Sequence, residues 1–234
     1  MDRAALGAKL DRLVAQRGDP VLGLPSAEWA ASLEGVDRDL LLHAAIVAVR
    51  ELVIPEWAER RRDDMRPQRA LEAAEGWLAA RNADTLGQAK AAAKACTAAR
   101  NDTFGYEHRV AEAARAVAWA ASDKDATPIF NAIACVEEEL LARIALTGEY
   151  HRGPEQRRAL VDVLRKVFLP PEPVVEAPPI AASPPVPYSA DIHFDLGQRI
   201  VHKKFGDLVV TSVGETWVEV ELSDGTRKRL THKP

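Results

Sequence analysis

Leu6, Leu10 and Leu13 fall one helical turn apart with polar residues between them, the pattern of an amphipathic helix. Gly18, Pro20, Gly23 and Pro25 break the period, and Ser26 is placed to cap a short helix carrying Trp29. From Asp37 the run LLLHAAIVAVREL is apolar on almost every side, which predicts a helix central to a bundle. Pro55 ends or kinks it, and PEWAERRR reads as a fresh turn with proline at its first position. Pro67 opens the next helix, and Asp84 is placed to cap another with Leu86, Ala89, Ala93 and Cys96 on one stripe. The same period runs through Val110, Ala113 and Val117, then through Ile129, Ile133, Val136, Leu140 and Ile144. Pro154 starts a last helix with Leu160, Leu164 and Val167 inward. About eight helices with short connections make an antiparallel helical array. EAAEGWLAA and EAARAVAWAA recur within it, as duplicated helical hairpins do.

The pattern then changes twice. Eight of the 18 residues at 170–187 are proline, which lacks an N–H and fixes φ. This stretch reads as an extended tether and not as helix or sheet interior. Beyond it QRIVH, DLVVTSV, TWVEVEL and TRKRL alternate with period two, joined by glycine-bearing turns. Four such strands can close into a small barrel. The chain thus divides into a helical domain over 1–168, a proline-rich linker over 169–190 and a small all-β module over 191–234, with a mainly α fold overall.

Composition narrows the function only by exclusion. Residues 1–168 carry 24 Lys and Arg against 26 Asp and Glu, and residues 188–234 carry 7 against 7. Neither part is basic enough to predict a nucleic-acid partner. No run of about 18 apolar residues predicts a membrane span, and no apolar N-terminal leader is visible, so the expected place is the cytoplasm. Cys96 and Cys135 lie in helical patterns without ligand-spaced partners and read as buried, reduced thiols.

No catalytic or metal-ligating constellation stands out, and none of the common phosphate, hydrolase or zinc motifs occurs, so no cofactor is expected. Glu137, Glu138 and Glu139 with Arg143 read as a solvated face, His43 as a core histidine, and His108 with Glu112 as a surface pair. Arg60, Arg61 and Arg62 end a helix, where the dipole favours cations; with Arg66 they also form a possible fork-bearing epitope for carboxylates. Trp57 and Trp77 are candidate anchors where exposed. Trp217 is in phase with Glu219 and Glu221, hence outward on its strand. It packs there on the tether or the helical domain, or it serves as an aromatic anchor.

Residues 63–100 carry the pattern RP-x-x-A-L-x-A-A-x-x-W in Arg66, Pro67, Ala70, Leu71, Ala73, Ala74 and Trp77, followed by an alanine-rich helix. Over roughly residues 40–150 this resembles a family of immunity proteins from bacterial polymorphic toxin systems. That resemblance implies an all-α domain that neutralises a cognate toxin by binding, with no catalytic residues. Around residues 194–230, Gly197, His202, Phe205, Gly206, Asp224 and Gly225 follow the pattern G-x-x-(V/I)-x-H-x-x-F-G and a D-G turn, with Val201 one place out of register. The segment resembles the Tudor-like C-terminal module of UvrD/PcrA-type helicases, which implies a protein-contacting module, with His202, Phe205 and Trp217 as its candidate contacts. The alternative it opens is an adaptor that docks on RNA polymerase or repair machinery.

Overall fold

The computed structural model describes residues 2–170, 185–214, 216–222 and 224–231. Among them the chain is mainly helical and ends in a small sheet. It divides into two compact units, Met1–Pro170 and Pro171–Pro234.

The first unit holds α1 (Arg3–Ala15), α2 (Ser26–Ser32), α3 (Arg38–Leu52), α4 (Ile54–Arg60), α5 (Arg66–Ala80), α6 (Ala83–Asn101), α7 (Tyr106–Ala120), α8 (Thr127–Ala145) and α9 (Gly153–Phe168). The count of nine exceeds the expected eight because the turn after Pro55 is a helix in its own right. α3 touches α5, α7, α8 and α9, as its all-round apolar pattern requires. Leu42, Ala44, Ala45, Ile46, Ala48 and Val49 are fully buried. α7 lies against α5, α6 and α8. Its alanines 111, 113, 114, 118 and 120 are also inaccessible, because side chains this small let helix backbones close on each other.

The helix starts differ from the sequence reading at two places. Ser26 makes no capping hydrogen bond, and Pro25 stands at the cap. α6 is capped by Asn82 and not by Asp84: the Asn82 side chain accepts from Asp84 and Thr85 N–H, and Thr85 Oγ1 accepts from Asn82 N–H. This reciprocal pair satisfies donors that Asp84, already inside the first turn, cannot reach.

The second unit is one five-stranded sheet in the order β1 (Val186–Pro187), β2 (Arg199–His202), β3 (Gly206–Val213), β4 (Trp217–Leu222), β5 (Arg227–Thr231). Among the described residues the sheet is open, with β1 and β5 unpaired at its edges. The Tyr188 hydroxyl, just past β1, donates to the Thr231 carbonyl on β5 at 2.5 Å. One strand was not foreseen. The last residues of the proline-rich stretch pair parallel with β2, Val186 opposite Ile200 and Pro187 opposite Val201. Proline is tolerated there because β1 is an edge strand. The expected tether otherwise falls on residues 171–184, outside the described residues. Phe194, Ile200, Leu208, Val210, Val218 and Val220 form the core of this unit.

Candidate protein-binding surface

The arginines singled out in the sequence sit where α4 turns into α5, and each has a different task. Arg60 pairs with Glu56 at 2.7 Å and lays its guanidinium over the Tyr106 ring, 4.1 Å from its centre. Arg61 donates to Glu107 at 2.6 Å and covers the face of Trp57. Arg66 grips Asp64 with two nitrogens, at 2.8 and 2.7 Å, and reaches Asp102 at 3.1 Å. Its pKa is raised by the bond to Asp64, and the Asp64 carboxyl is held below its usual range by the bond from Arg66. Arg62 is exposed, with no hydrogen bond or ion pair to a described residue. With Arg69, these residues wall a shallow, open depression of about 590 Å³.

These contacts lace the α4–α5 turn to Asp102 at the end of α6 and to Tyr106 and Glu107 in the first turn of α7. Between them stands Phe104, 88% exposed. Arg143 near the end of α8 lies 2.6 Å from Glu56, the partner of Arg60, and three residues later Leu146 is 81% exposed. Met65 on the α4–α5 turn is also exposed. Arg60 and Arg143 thus share Glu56, and Met65, Phe104 and Leu146 are each exposed at a helix end. Sequence periodicity assigns such residues to loops. The only available signal for Phe104 was an aromatic between Thr103 and Gly105, off every helical stripe.

The tryptophan candidates are used otherwise. Trp57 is fully buried and donates its indole N–H to the Asp64 carbonyl at 2.7 Å. Trp77 is half-buried against the core under Arg38 and Arg81. It lies eleven residues along α5 from Arg66, about 16 Å, so it does not join the arginine turn. The motif residues Pro67, Ala70, Leu71 and Ala74 are buried as well, so the run that carries the resemblance mostly builds the helix interface.

The glutamate run is not the solvated face that its sequence indicates. Glu137 and Glu139 are fully buried. Glu137 accepts from Arg157 Nε at 2.5 Å, Leu24 N–H at 2.9 Å and Trp29 Nε1 at 3.1 Å. Arg157 also donates to the Gln16 carbonyl. The network pins the α1–α2 loop onto α8 and α9. His43 is exposed on α3 and is no core histidine. His108 Nδ1 faces the Arg100 carbonyl, while Glu112 takes Arg100 and Arg115 in place of the expected His108 pairing. Cys96 is buried, Cys135 is half-buried, and burial pushes both thiols up to about 12, which leaves them poor nucleophiles. Among the described residues no group of His, Cys, Asp and Glu is placed to hold a metal ion, and no helix is long and apolar enough to cross a membrane.

In the second unit His202 stacks on Phe205, 4.7 Å away, and meets Tyr188 at 4.9 Å with the rings tilted by 48°. Its Nδ1 accepts from the Lys204 N–H at 3.1 Å. The Lys228 ammonium sits 4.2 Å from the centre of the Phe205 ring. Trp217 is half-buried, packed over Gly214 with the Arg229 guanidinium 4.3 Å from its ring. Its own sheet covers it in part, a packing that strand alternation alone does not show. All three candidates of the tail thus have partners within the unit. Comparison with family models, curated proteins and solved structures finds no match to this chain.

Proposed function

We propose that this chain is a non-catalytic, cytoplasmic immunity protein, which neutralises a cognate bacterial toxin by occupying it one to one. The observation that carries the reading is the braced arginine turn Arg60–Arg66, held in place by α6 and α7 with Arg62 left free. A surface fixed before binding loses little conformational entropy on association, and arginine is among the residues that dominate interface energies. A nanomolar complex needs about −12 kcal/mol, within reach of a standard-sized interface built around a few anchors. The likeness of residues 40–150 to immunity proteins supports the same reading.

The test is co-expression, in a sensitive host, of candidate polymorphic toxins with the full-length protein, residues 1–168 or residues 188–234. Rescue by the first two alone is the expected result. No rescue by any of them moves the reading to an adaptor, whose Tudor-like tail would dock on RNA polymerase or repair machinery through the Trp217 face. Rescue by the tail alone contradicts the role given to the helical unit.

A further inference from the structure

We infer that Glu139 and Arg143 form a proton-operated latch: while Glu139 keeps a proton, Arg143 ties Glu56 on α4 to α8, and when Glu139 loses it, Arg143 closes on Glu139 with two nitrogens and releases Glu56. The latch goes beyond the toxin reading and does not depend on it. An arginine meets a carboxylate best through two parallel N–H bonds. Here that fork is half closed. Arg143 Nε donates to Glu139 Oε1 at 3.1 Å. The second bond is missing although both of its atoms are present: Arg143 Nη2 and Glu139 Oε2 are buried, and neither has a hydrogen-bond partner among the described residues. A buried donor and a buried acceptor of one fork would be expected to pair, because each is costly to leave open. A proton on Oε2 accounts for both open atoms at once. It turns that oxygen from acceptor into donor, so that it meets Nη2 donor to donor and the fork stays half closed.

Arg143 is meanwhile held from the other side. Its Nε lies 2.6 Å from Glu56 Oε2, while Glu56 Oε1 holds Arg60 at 2.7 Å. Glu56 thus connects the arginine turn to α8 through Arg143. The charges that face Glu139 come from few elements. α4 brings Glu56, α7 brings Arg109, which pairs with Glu138 at 3.6 Å, and α8 itself brings Arg143. α9 brings Arg157 to Glu137 instead, α2 brings Trp29 to that same carboxylate, and the buried face of α3 is apolar. In the turn before α9, Arg152 is taken by Glu149 and Glu155, and His151 is exposed. Within the cluster Glu56, Glu138 and Glu139 stand against Arg60, Arg109 and Arg143, three against three. The charges therefore balance with Glu139 ionised, and it is burial that keeps the proton on, pushing this carboxyl up to about 7. Loss of the proton removes the donor from Oε2, the fork closes, and Arg143 turns from Glu56. α4 then keeps the buried Trp57 and the Arg61–Glu107 pair and loses this tie to α8.

The experiment is an NMR titration of the full-length chain between pH 5 and pH 8.5 that follows the Glu139 carboxyl carbon and the Arg143 Nε–H together, in wild type, Glu139→Gln and Glu56→Gln. In wild type both signals should move with one midpoint, near pH 7. Glu139→Gln keeps a neutral acceptor at one position and a donor at the other, so the Arg143 signal should stay flat. Glu56→Gln removes the competing carboxylate, so the Glu139 midpoint should fall. Exchange of the Arg61 amide, which is bonded to the Trp57 carbonyl at 2.8 Å, reads the end of α4 itself. From pH 6 to pH 8 it should speed up about threefold beyond the intrinsic rise in wild type and keep to the intrinsic rise in Glu139→Gln. An Arg143 signal that stays flat while Glu139 titrates overturns the latch. So does a Glu139 that does not titrate within this range, or an Arg61 amide that responds alike in both chains. The wild-type titration decides even where neither variant folds.

Discussion

Burial of the Glu139 carboxylate leaves it with one hydrogen bond, from Arg143 Nε at 3.1 Å, and Arg143 is shared with Glu56 at 2.6 Å. Its second oxygen accepts nothing from the protein. Desolvation dominates, and Glu56 adds repulsion, so the pKa is pushed up to about 7 although Arg143 and Arg109 pull the other way. The folded chain therefore binds this proton more tightly than the unfolded one. The resulting stabilisation is full below the ordinary carboxyl range near pH 4.5 and is lost as pH rises through 7. It is on the order of 3 kcal/mol, at about 1.4 kcal/mol per pKa unit. Thermal melts of wild type and Glu139→Gln at pH 5 and pH 8 should show the wild type losing ground with rising pH and the variant largely flat. A variant with the wild-type pH slope would show that Glu139 is charged throughout. Nothing in the letters EEE distinguishes this residue from Glu138, only half-buried beside it. Burial of an acid is decided by which helices close over it, and α2, α3, α7 and α9 all lie on α8.

Elements were legible where a period repeats and illegible where a loop is held by a distant side chain. The leucines of α1 and the isoleucines of α8 sit inward as their spacing requires. The segment between α1 and α2 reads as an ordinary Gly- and Pro-rich connection, yet it is a fastened loop. Asp19 and Gly23 pair backbone to backbone at 3.1 and 2.9 Å, and Gly23 has φ +74° directly against the Glu137 carboxyl. A Cβ at Gly23 would fall 2.6 Å from Glu137 Cδ. Gly35, with φ +83°, has open space around it and isolates the backbone cost alone. Gly35→Ala should lose about 1 kcal/mol and Gly23→Ala about 3 kcal/mol in urea denaturation, because the second also displaces Glu137 from Arg157, Leu24 and Trp29. Equal losses at the two sites would mean that the Glu137 network does not hold the loop. In the tail the alternation of TWVEVEL located β4 and its inward valines, whereas β1 was hidden because its two residues belong to a proline-rich run.

At the scale of the whole chain each unit has its own core, a large one drawn from all nine helices' shared interior and a small one of six side chains. The division between helical and strand periods was readable from hydrophobic spacing. The exposed helix ends were not, because Arg60–Arg66, Phe104 and Leu146 lie 38 residues apart in the sequence or more. The resemblance pointed to a helical run in which Pro67, Ala70, Leu71 and Ala74 are buried. Under the proposed function the chain acts by occupancy. A blocker that works this way must be present in at least equal amount, because any free toxin keeps turning over. The most direct measurement is a titration of the activity of a toxin that the chain protects against, with purified full-length chain, at toxin concentrations well above the dissociation constant. The account predicts a linear fall in activity that breaks at one chain per toxin. Full protection at a small fraction of equivalence, or activity that is unchanged at a large excess, would contradict it.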